Sequence, residues 1–422
     1  MLYLMLGYVY LCIHRPFEIW PALGDLRPEL IYFSGMTVAW LAAGKRIRGY
    51  ALLAAIAGMG GAFALSWAMS RWAGTDQAGL IVKNYAMILV FALMIATTVR
   101  DVRGLNALVL AFMAVLTLYM LHSLWEYRGG RHTFRMGIPR LVGVDTTLGD
   151  PNSFGATIVY SLPFTRYLWL TWGSVWRRPA VGGYFLLAIG CVMLTGSRSS
   201  LAGVVVWGLL NMLLSKRKVL YLSAFAVFAC VSFAFLPPDL QKRFETIIDP
   251  SVGPANAQES GQGRIEGFYT GLKLWSQYPL SGCGPSAWRP ASGSKIESHN
   301  LYGQVVGELG TVGLVAFLFM VAVLLWNLRK LKGLTNPTYG PVDEPRLFHL
   351  AQALTHSTIL LLFEGMFGHN LYRYNWVWYC AFVAVSLGIC RERLADSTDR
   401  EPDAWEEDEA DAWDSPTCSV AG

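Results

Sequence analysis

Charged residues are scarce in this sequence of 422 residues, and their scarcity excludes an ordinary soluble domain. They make up 15% of the chain, whereas soluble domains carry roughly 25%. Hydrophobic residues make up 54%, which indicates a polytopic membrane protein. From Asp396 to the end, ten acidic residues accompany one arginine. The net charge of −9 in that segment leaves +14 for the remainder of a chain whose total is +5.

Disulfide frameworks and metal-ligand clusters are also missing from the sequence. The seven cysteines are scattered, and only Cys283 lies in the long polar segment 237–300. No segment outside the acidic C-terminus groups His, Cys and Asp as metal sites do. We therefore expect no metal and no cofactor. If phosphate is bound outside the membrane, arginines must balance its charge.

Apolar runs predict an all-α fold with about twelve transmembrane helices, since a span needs about 20 apolar residues. Segment 237–300 is expected to be one large extracytoplasmic loop containing short helices, among them an amphipathic helix over 265–277. The runs are Met1–Ile13, Pro28–Gly44, Tyr50–Ser70, Asn84–Thr98, Gly104–Trp125, Ser153–Trp172, Ala180–Thr195, Ser200–Ser215, Val219–Leu236, Leu301–Leu328, Phe348–Gly368 and Trp376–Cys390.

Basic connectors set the expected orientation. Five short Lys/Arg-rich connectors fall on one side if every run spans, and such loops stay cytoplasmic. Both termini are then inside, and the large loop faces outward. The first run is short and lacks the positive start of a signal peptide, so it either leans into the interface or continues a span that begins upstream.

The sequence divides into a membrane domain over 1–390 and an acidic tail over 391–422. The tail cannot bury enough apolar surface to fold, so we expect it to be disordered in the cytoplasm. It is either a solvating tail or, because of Trp405 and Trp413, a docking segment.

Two arginines outside the apolar runs are candidates for binding an anion. Arg198 lies in a very short turn among hydroxyls, where Ser199 or Ser200 is expected to cap the next helix. Its forked donors suit phosphate oxygens, and the alternative is an arginine that reaches lipid head groups. Arg264 is expected at the N-terminus of the helix over 265–277, where it opposes the dipole and requires a compensating anion.

His299 lies where the large loop re-enters the membrane, and imidazole is suited to accept a proton from a hydroxyl at neutral pH. A structural boundary histidine is the alternative. Asn300, Gln304 and Glu308 follow at helical spacing and form one polar stripe on the next helix. This stripe favours a substrate-binding site beside His299.

Further polar residues are expected on the outward side. Arg140 and Asn152 belong to a basic, turn-rich loop that could hold an anionic substrate or anionic head groups. Glu364 is an intramembrane carboxyl that either serves the same site, with His356 and His369 nearby, or pairs with an arginine to hold the bundle. The tetrapeptide His-Asn-Leu-Tyr occurs at 299–302 and again at 369–372, each time at an outward boundary.

These motifs, in this order and on one side of the membrane, resemble the O-antigen ligase and polymerase superfamily of membrane glycosyltransferases over about 1–390. The residues that carry the resemblance are Gly149-Asp150-Pro151-Asn152-Ser153, Thr195-Gly196-Ser197-Arg198-Ser199, Gly263-Arg264, Trp275, Tyr278-Pro279-Leu280, Gly282-Cys283-Gly284, Ser298-His299-Asn300-Leu301 and Gly307-Glu308-Leu309-Gly310.

The resemblance implies metal-independent, inverting transfer of a glycan from an undecaprenyl-diphosphate donor to an acceptor hydroxyl, at the outer face of the inner membrane. Arg198 and Arg264 would bind the diphosphate, and His299 would orient or deprotonate the acceptor. The acceptor is lipid A core, a growing polysaccharide or protein, and neither a cofactor nor a nucleic acid is implied. A transporter or flippase of lipid-linked saccharide is the alternative, although transporters concentrate polar residues at mid-membrane.

Overall fold

The computed structural model describes residues 1–45, 47, 49–135, 138–145, 148–172, 174–245 and 256–398. It is 78% helical with almost no strand, which confirms the predicted all-α character. The first helices are α1 (Leu2–Ile13), α2 (Pro16–Ile19), α3 (Pro21–Leu26), α4 (Pro28–Ala42), α5 (Tyr50–Met69), α6 (Asp76–Thr98) and α7 (Val102–Arg128).

An antiparallel hairpin of β1 (Thr133–Arg135) and β2 (Ile138–Arg140) follows, with Thr133 opposite Arg140. A 3-10 turn at Val175–Arg177 separates α8 from α9. The remaining helices are α8 (Pro151–Thr171), α9 (Arg178–Thr195), α10 (Arg198–Leu214), α11 (Lys218–Ala234), α12 (Pro238–Glu245), α13 (Asn256–Gln277), α14 (Trp288–Ser292), α15 (Leu301–Leu334), α16 (Pro345–Gly365) and α17 (Asn375–Thr398).

Each of the twelve predicted apolar runs coincides with a helix, but a count of twelve spans is not confirmed. Within the described ranges, five segments are long and apolar enough to cross a bilayer, which supports a multi-pass membrane protein. They are Tyr50–Met69, Asp76–Thr98, Val102–Arg128, Val175–Thr195 and Leu301–Leu334.

The core forms where α8 packs against α9, α10 and α16, and where α15 packs against α5, α16 and α17. Trp376 and Phe164 are among the largest side chains buried there. Burial of apolar surface in this core holds the N-terminal ends of α8, α10 and α15 next to the C-terminal end of α16.

Helices α13 and α15 cross through two pairs of glycines. A Cβ atom on Gly271 would lie 2.4 Å from the Gly303 carbonyl oxygen, and one on Gly267 would lie 1.9 Å from the Ser298 oxygen. Gly303 and Gly307 repeat the four-residue spacing of Gly267 and Gly271, the pattern that lets helix backbones approach closely. The predicted large loop is therefore packed onto the first turns of α15.

Helix α15 is broken at Gly310, whose φ of 64° and ψ of −159° suit only glycine. The carbonyls that the break frees are bonded elsewhere. The Cys283 amide donates to the Gly307 oxygen at 2.9 Å, and the Gly284 amide donates to the Glu308 oxygen at 3.0 Å. The turn after α13 thus holds the outward segment of α15 apart from its long apolar segment.

The last helix extends beyond the membrane domain predicted over 1–390. Helix α17 continues to Thr398, so the tail does not begin at 391 as predicted. The rest of the tail, with Trp405 and Trp413, lies outside the described residues, as do Arg46 and Arg48 of one basic connector.

Candidate active site

A cavity of about 30 Å³ lies among the ends of α8, α10 and α16 and beside His299, which precedes the N-cap of α15. We call it the His299 cavity. It contains residues from three of the regions singled out in the sequence. It is lined by Asp150, Asn152, Ser153, Ala156, Tyr160, Ser199, His299, Glu364, Phe367, Gly368, His369, Asn370 and Arg373.

His299 enters this cavity from a strained backbone position. Its φ is 46°, in the left-handed region that non-glycine residues rarely adopt. The next residue, Asn300, caps α15 by accepting a hydrogen bond from the Gly303 amide at 3.0 Å. The cap and the α13 crossing hold His299 in this conformation, which is a pattern common at functional sites.

The two copies of the repeated tetrapeptide meet in the cavity. The rings of His299 and His369 have centroids 5.6 Å apart and are tilted by 52°. The sequence predicts two similar polar clusters on one face of the membrane, and the structure brings the histidines of the two copies together.

Arg198 is the first residue of α10, and its helix is capped by Ser197 rather than by Ser199 or Ser200 as predicted. Ser197 accepts a hydrogen bond from the Ser200 amide at 3.3 Å, and Gly196, at a φ of 57°, ends α9 just before it. Ser199, the neighbour of Arg198, lines the His299 cavity.

Two other arginines hold the turn that carries Arg198. Arg243 of α12 donates from Nε to the Gly196 carbonyl at 2.7 Å. Arg140 donates from Nε to the Thr195 carbonyl at 2.6 Å and from Nη2 to the Asn152 side chain at 2.9 Å. Arg140 is 1% exposed, so its geometry fits a positioning role better than the substrate contact expected from the sequence.

Arg264 does not open a helix, contrary to the sequence expectation. Helix α13 begins at Asn256, so Arg264 lies in its interior, about two turns from the start. Its guanidinium carbon is 5.1 Å from the centre of the Phe367 ring, and Phe367 lines the His299 cavity. The polar, glycine-containing sequence before Arg264 predicts a loop, but in the structure it forms the first turns of α13, a helix that packs on α15.

Glu364 lies at the floor of the His299 cavity and is 3% exposed. Its carboxyl group hydrogen-bonds with Ser199 and interacts electrostatically with Arg264. A Cβ atom on Gly203 would lie 2.5 Å from its Oε1, so glycine is needed for α10 to pass. Glu364 thus both lines the cavity and interacts with an arginine, so each of the two alternatives for its role stays a prediction.

Gln304 and Glu308 do not line the His299 cavity but a second, larger cavity of about 410 Å³. Glu308 is 1% exposed and accepts hydrogen bonds from Gln304 at 3.3 Å and from Tyr372. We call the second cavity the Asp145 cavity, after another of its lining residues. His369 and Arg373 line both cavities, so the two adjoin there. Asn300, the first residue of the predicted stripe, caps α15 and lines neither cavity. The structure therefore does not place the stripe beside His299, as the sequence predicts.

His356 does not join the outward site. It lies with Arg166 and His349 around a separate small pocket between α8 and α16. Two residues that contribute to the site were not predicted from the sequence. Arg243 holds the turn before Arg198, and Asp145 lines the second cavity. Their roles arise from contacts between distant segments, and no local motif marks them.

Comparison with known families matches residues 183–318 to the O-antigen ligase family. No curated protein matches the chain. The matched segment runs from α9 into α15 and includes Arg198, Arg264 and His299. It supports a membrane glycosyltransferase-type role with lipid-linked polysaccharide substrates. The match covers residues 183–318 alone, and together with the apolar helices it supports a relationship to the O-antigen ligase and polymerase superfamily.

Proposed function

We propose that this protein transfers a glycan from an undecaprenyl-diphosphate donor to a hydroxyl of lipid A core or of a growing polysaccharide. The observation that carries the proposal is the pairing of His299 with His369 in a cavity that Ser199 and Phe367 also line. Ser199 adjoins Arg198 in the sequence, and the Arg264 guanidinium lies over the Phe367 ring, so both arginines neighbour residues of this cavity without lining it themselves.

In the proposed reaction, Arg198 and Arg264 bind the diphosphate and stabilise the charge that develops on it. The acceptor oxygen attacks the anomeric carbon, and the bond from that carbon to the diphosphate oxygen breaks. His299 accepts the proton of the acceptor hydroxyl. Undecaprenyl diphosphate leaves as an anion, and attack opposite the leaving group inverts the anomeric carbon. No metal is required in this scheme because the guanidiniums supply the positive charge.

We further propose the inner membrane as the location, with the His299 cavity facing the periplasm. The basic connectors support this orientation, since Lys/Arg-rich short loops remain cytoplasmic. Residues 1–390 would form the membrane domain. The segment 391–422 would be a cytoplasmic extension whose first turns continue α17.

The test is transfer from purified undecaprenyl-diphosphate oligosaccharide by the detergent-solubilised protein, with EDTA present and no added metal. Wild type and the control His132→Ala should form product, whereas His299→Ala should form none while still binding donor. A wild type that forms no product with lipid A core, polysaccharide or protein acceptors, but moves lipid-linked saccharide across liposomes, would replace the proposal by transport.

A further inference from the structure

The Asp145 cavity contains an unusual concentration of polar atoms that lack hydrogen-bond partners. Among the described residues, five lining side chains each have a buried oxygen with no partner. Asp145, Tyr85 and Gln304 are at most 5% exposed. These side chains come from α6, α15 and two loops, so one local distortion does not explain them. The five are Asn84, Tyr85, Asp145, Gln304 and Tyr374.

Such atoms normally find a partner, because a buried polar group without one costs about 1–3 kcal/mol. A ligand rich in hydroxyl groups would supply donors to the carboxylate and amide oxygens and bond with the phenols. Tyrosine rings also present flat apolar faces, and Tyr8, Tyr85, Tyr372 and Tyr374 all line the cavity. This combination of aromatic walls with a few polar groups is that of a small-molecule site.

The charge of the lining distinguishes the ligand from a lipid diphosphate. Four carboxyl groups and two guanidiniums line the Asp145 cavity. The carboxyls are those of Glu29, Asp145, Glu297 and Glu308, and the guanidiniums are those of Arg15 and Arg373. Neither Arg198 nor Arg264 is among the lining residues. Two of these carboxylates pair with cations outside the lining, Glu29 with Lys83 at 3.7 Å and Glu297 with Arg289 at 2.8 Å. A lining whose two guanidiniums are at least matched by carboxyl groups disfavours a dense anion and accepts an uncharged, hydroxyl-rich chain.

We propose that the Asp145 cavity binds the acceptor as an uncharged saccharide chain and presents its hydroxyl to His299 past His369 and Arg373. The inference rests on the proposed function and names its acceptor side. Of the acceptors open from the sequence, it favours a growing polysaccharide over phosphorylated lipid A core. The glycan part of the donor has the same chemistry, so the experiment separates the two sources.

Direct binding, measured without turnover, is the test. The probe is the repeat-unit oligosaccharide released by mild acid from the lipid-linked donor, titrated calorimetrically into the full-length protein in detergent. Tyr85→Phe and Tyr374→Phe each remove only a hydroxyl, so folding should persist. Each should weaken binding about fivefold, and the double variant about 25-fold, which corresponds to about one hydrogen bond per site. Tyr184→Phe, whose hydroxyl pairs with Ser161 away from this lining, should bind as wild type does.

Competition identifies the source. Sugar-free undecaprenyl diphosphate should not displace the oligosaccharide, and Arg264→Ala should bind it normally. Phosphorylated core oligosaccharide should bind at least about tenfold more weakly, given the carboxyl groups of the lining. Displacement by the lipid diphosphate would assign the saccharide to the donor and overturn the proposal. Equal affinity in all the tyrosine variants, or no saccharide binding, would show a solvated cavity and overturn it too.

Failure of this inference and failure of the proposed function give different results. A wild type that binds the oligosaccharide through Tyr85 but never forms product would retain the saccharide site and lose the transferase reaction. Product formation combined with unchanged binding in Tyr85→Phe would retain the reaction and lose the site.

Discussion

The rings of His299 and His369 have centroids 5.6 Å apart, beside the place where the His299 and Asp145 cavities adjoin. His299 lines only the smaller cavity, whereas His369 lines both. The His369 residue is exposed, so its ring is accessible as a hydrogen-bond partner. From these positions we expect the two histidines to have different roles. His299 would accept the proton, and His369 would orient the acceptor.

Substitution of the two histidines should therefore affect different kinetic constants. His299→Gln should lower kcat by about 10² to 10⁴, the usual contribution of a general base. His369→Gln keeps a hydrogen-bonding group and should mainly raise the acceptor KM. Steady-state kinetics with donor saturating checks this. Equal losses of kcat in both variants would contradict the separate roles.

Arg264→Lys should lose most of the transfer activity and weaken donor binding about tenfold or more. Lysine retains the charge, but it lacks the planar fork that binds phosphate with two bonds and stacks on Phe367. Donor affinity and turnover are the measurements. Lys273→Arg, the reverse exchange at an exposed position of the same helix, is the matched control and should behave as wild type does. Normal donor binding by Arg264→Lys would remove the diphosphate role.

Gly271→Ala should disrupt the crossing of α13 and α15. The added methyl group would lie 2.4 Å from the Gly303 carbonyl oxygen, and overpacking of this kind costs about 1–3 kcal/mol. We expect a lower melting temperature and loss of transfer, because both Arg264 and His299 depend on this crossing. On the same helix, Gly263 has no atom within 4 Å of an added Cβ. Gly263→Ala should therefore melt no lower than wild type, and equal melting of the two variants would contradict the role of the crossing.

Arg140→Lys should loosen the turn before Arg198. One ammonium cannot replace both bonds that the guanidinium makes, to Thr195 at 2.6 Å and to Asn152 at 2.9 Å. Hydrogen bonds to charged groups contribute about 1.5–3 kcal/mol each, so stability should fall measurably. A positioning role also predicts a raised donor KM. Arg128→Lys, at an exposed position, should change neither quantity. An unchanged donor KM in Arg140→Lys would leave only a structural role.

Acid should destabilise the protein through His14. Its ring is 2% exposed, and burial, together with the neighbouring His122, lowers its pKa from 6.5 to about 4. Because the unfolded state binds the proton more tightly, stability should fall as pH drops from about 6.5 to about 4, by up to about 1.4 kcal/mol per pH unit. Melting temperatures across this window should depend less on pH in His14→Gln than in wild type. His132→Gln is the control, and identical slopes in all three proteins would contradict the assignment.

The helices could be predicted from the sequence because their signals are local, whereas the roles of Arg198, Arg264 and His299 stay predictions. Apolar runs mark helices, and short motifs surround Arg198 and His299. The predicted start of this helix, at residue 265, is wrong, since α13 begins at Asn256. Glycine and polar residues weaken the helix signal in the sequence, and the packing of α13 on α15 is not visible there. The Asp145 cavity could not be predicted. Its partners, such as Asn84 and Asp145, lie in different segments, and only packing brings them together.

The glycine-paired crossing has a consequence for protein engineering. Where two backbones touch without side chains between them, neither helix tolerates a foreign partner whose glycines stand at other positions. A chimera that takes only the outward loop from a relative would join mismatched surfaces. Exchange of acceptor or donor preference within this superfamily should therefore succeed when the transplanted module extends from the start of α13 to the break at Gly310.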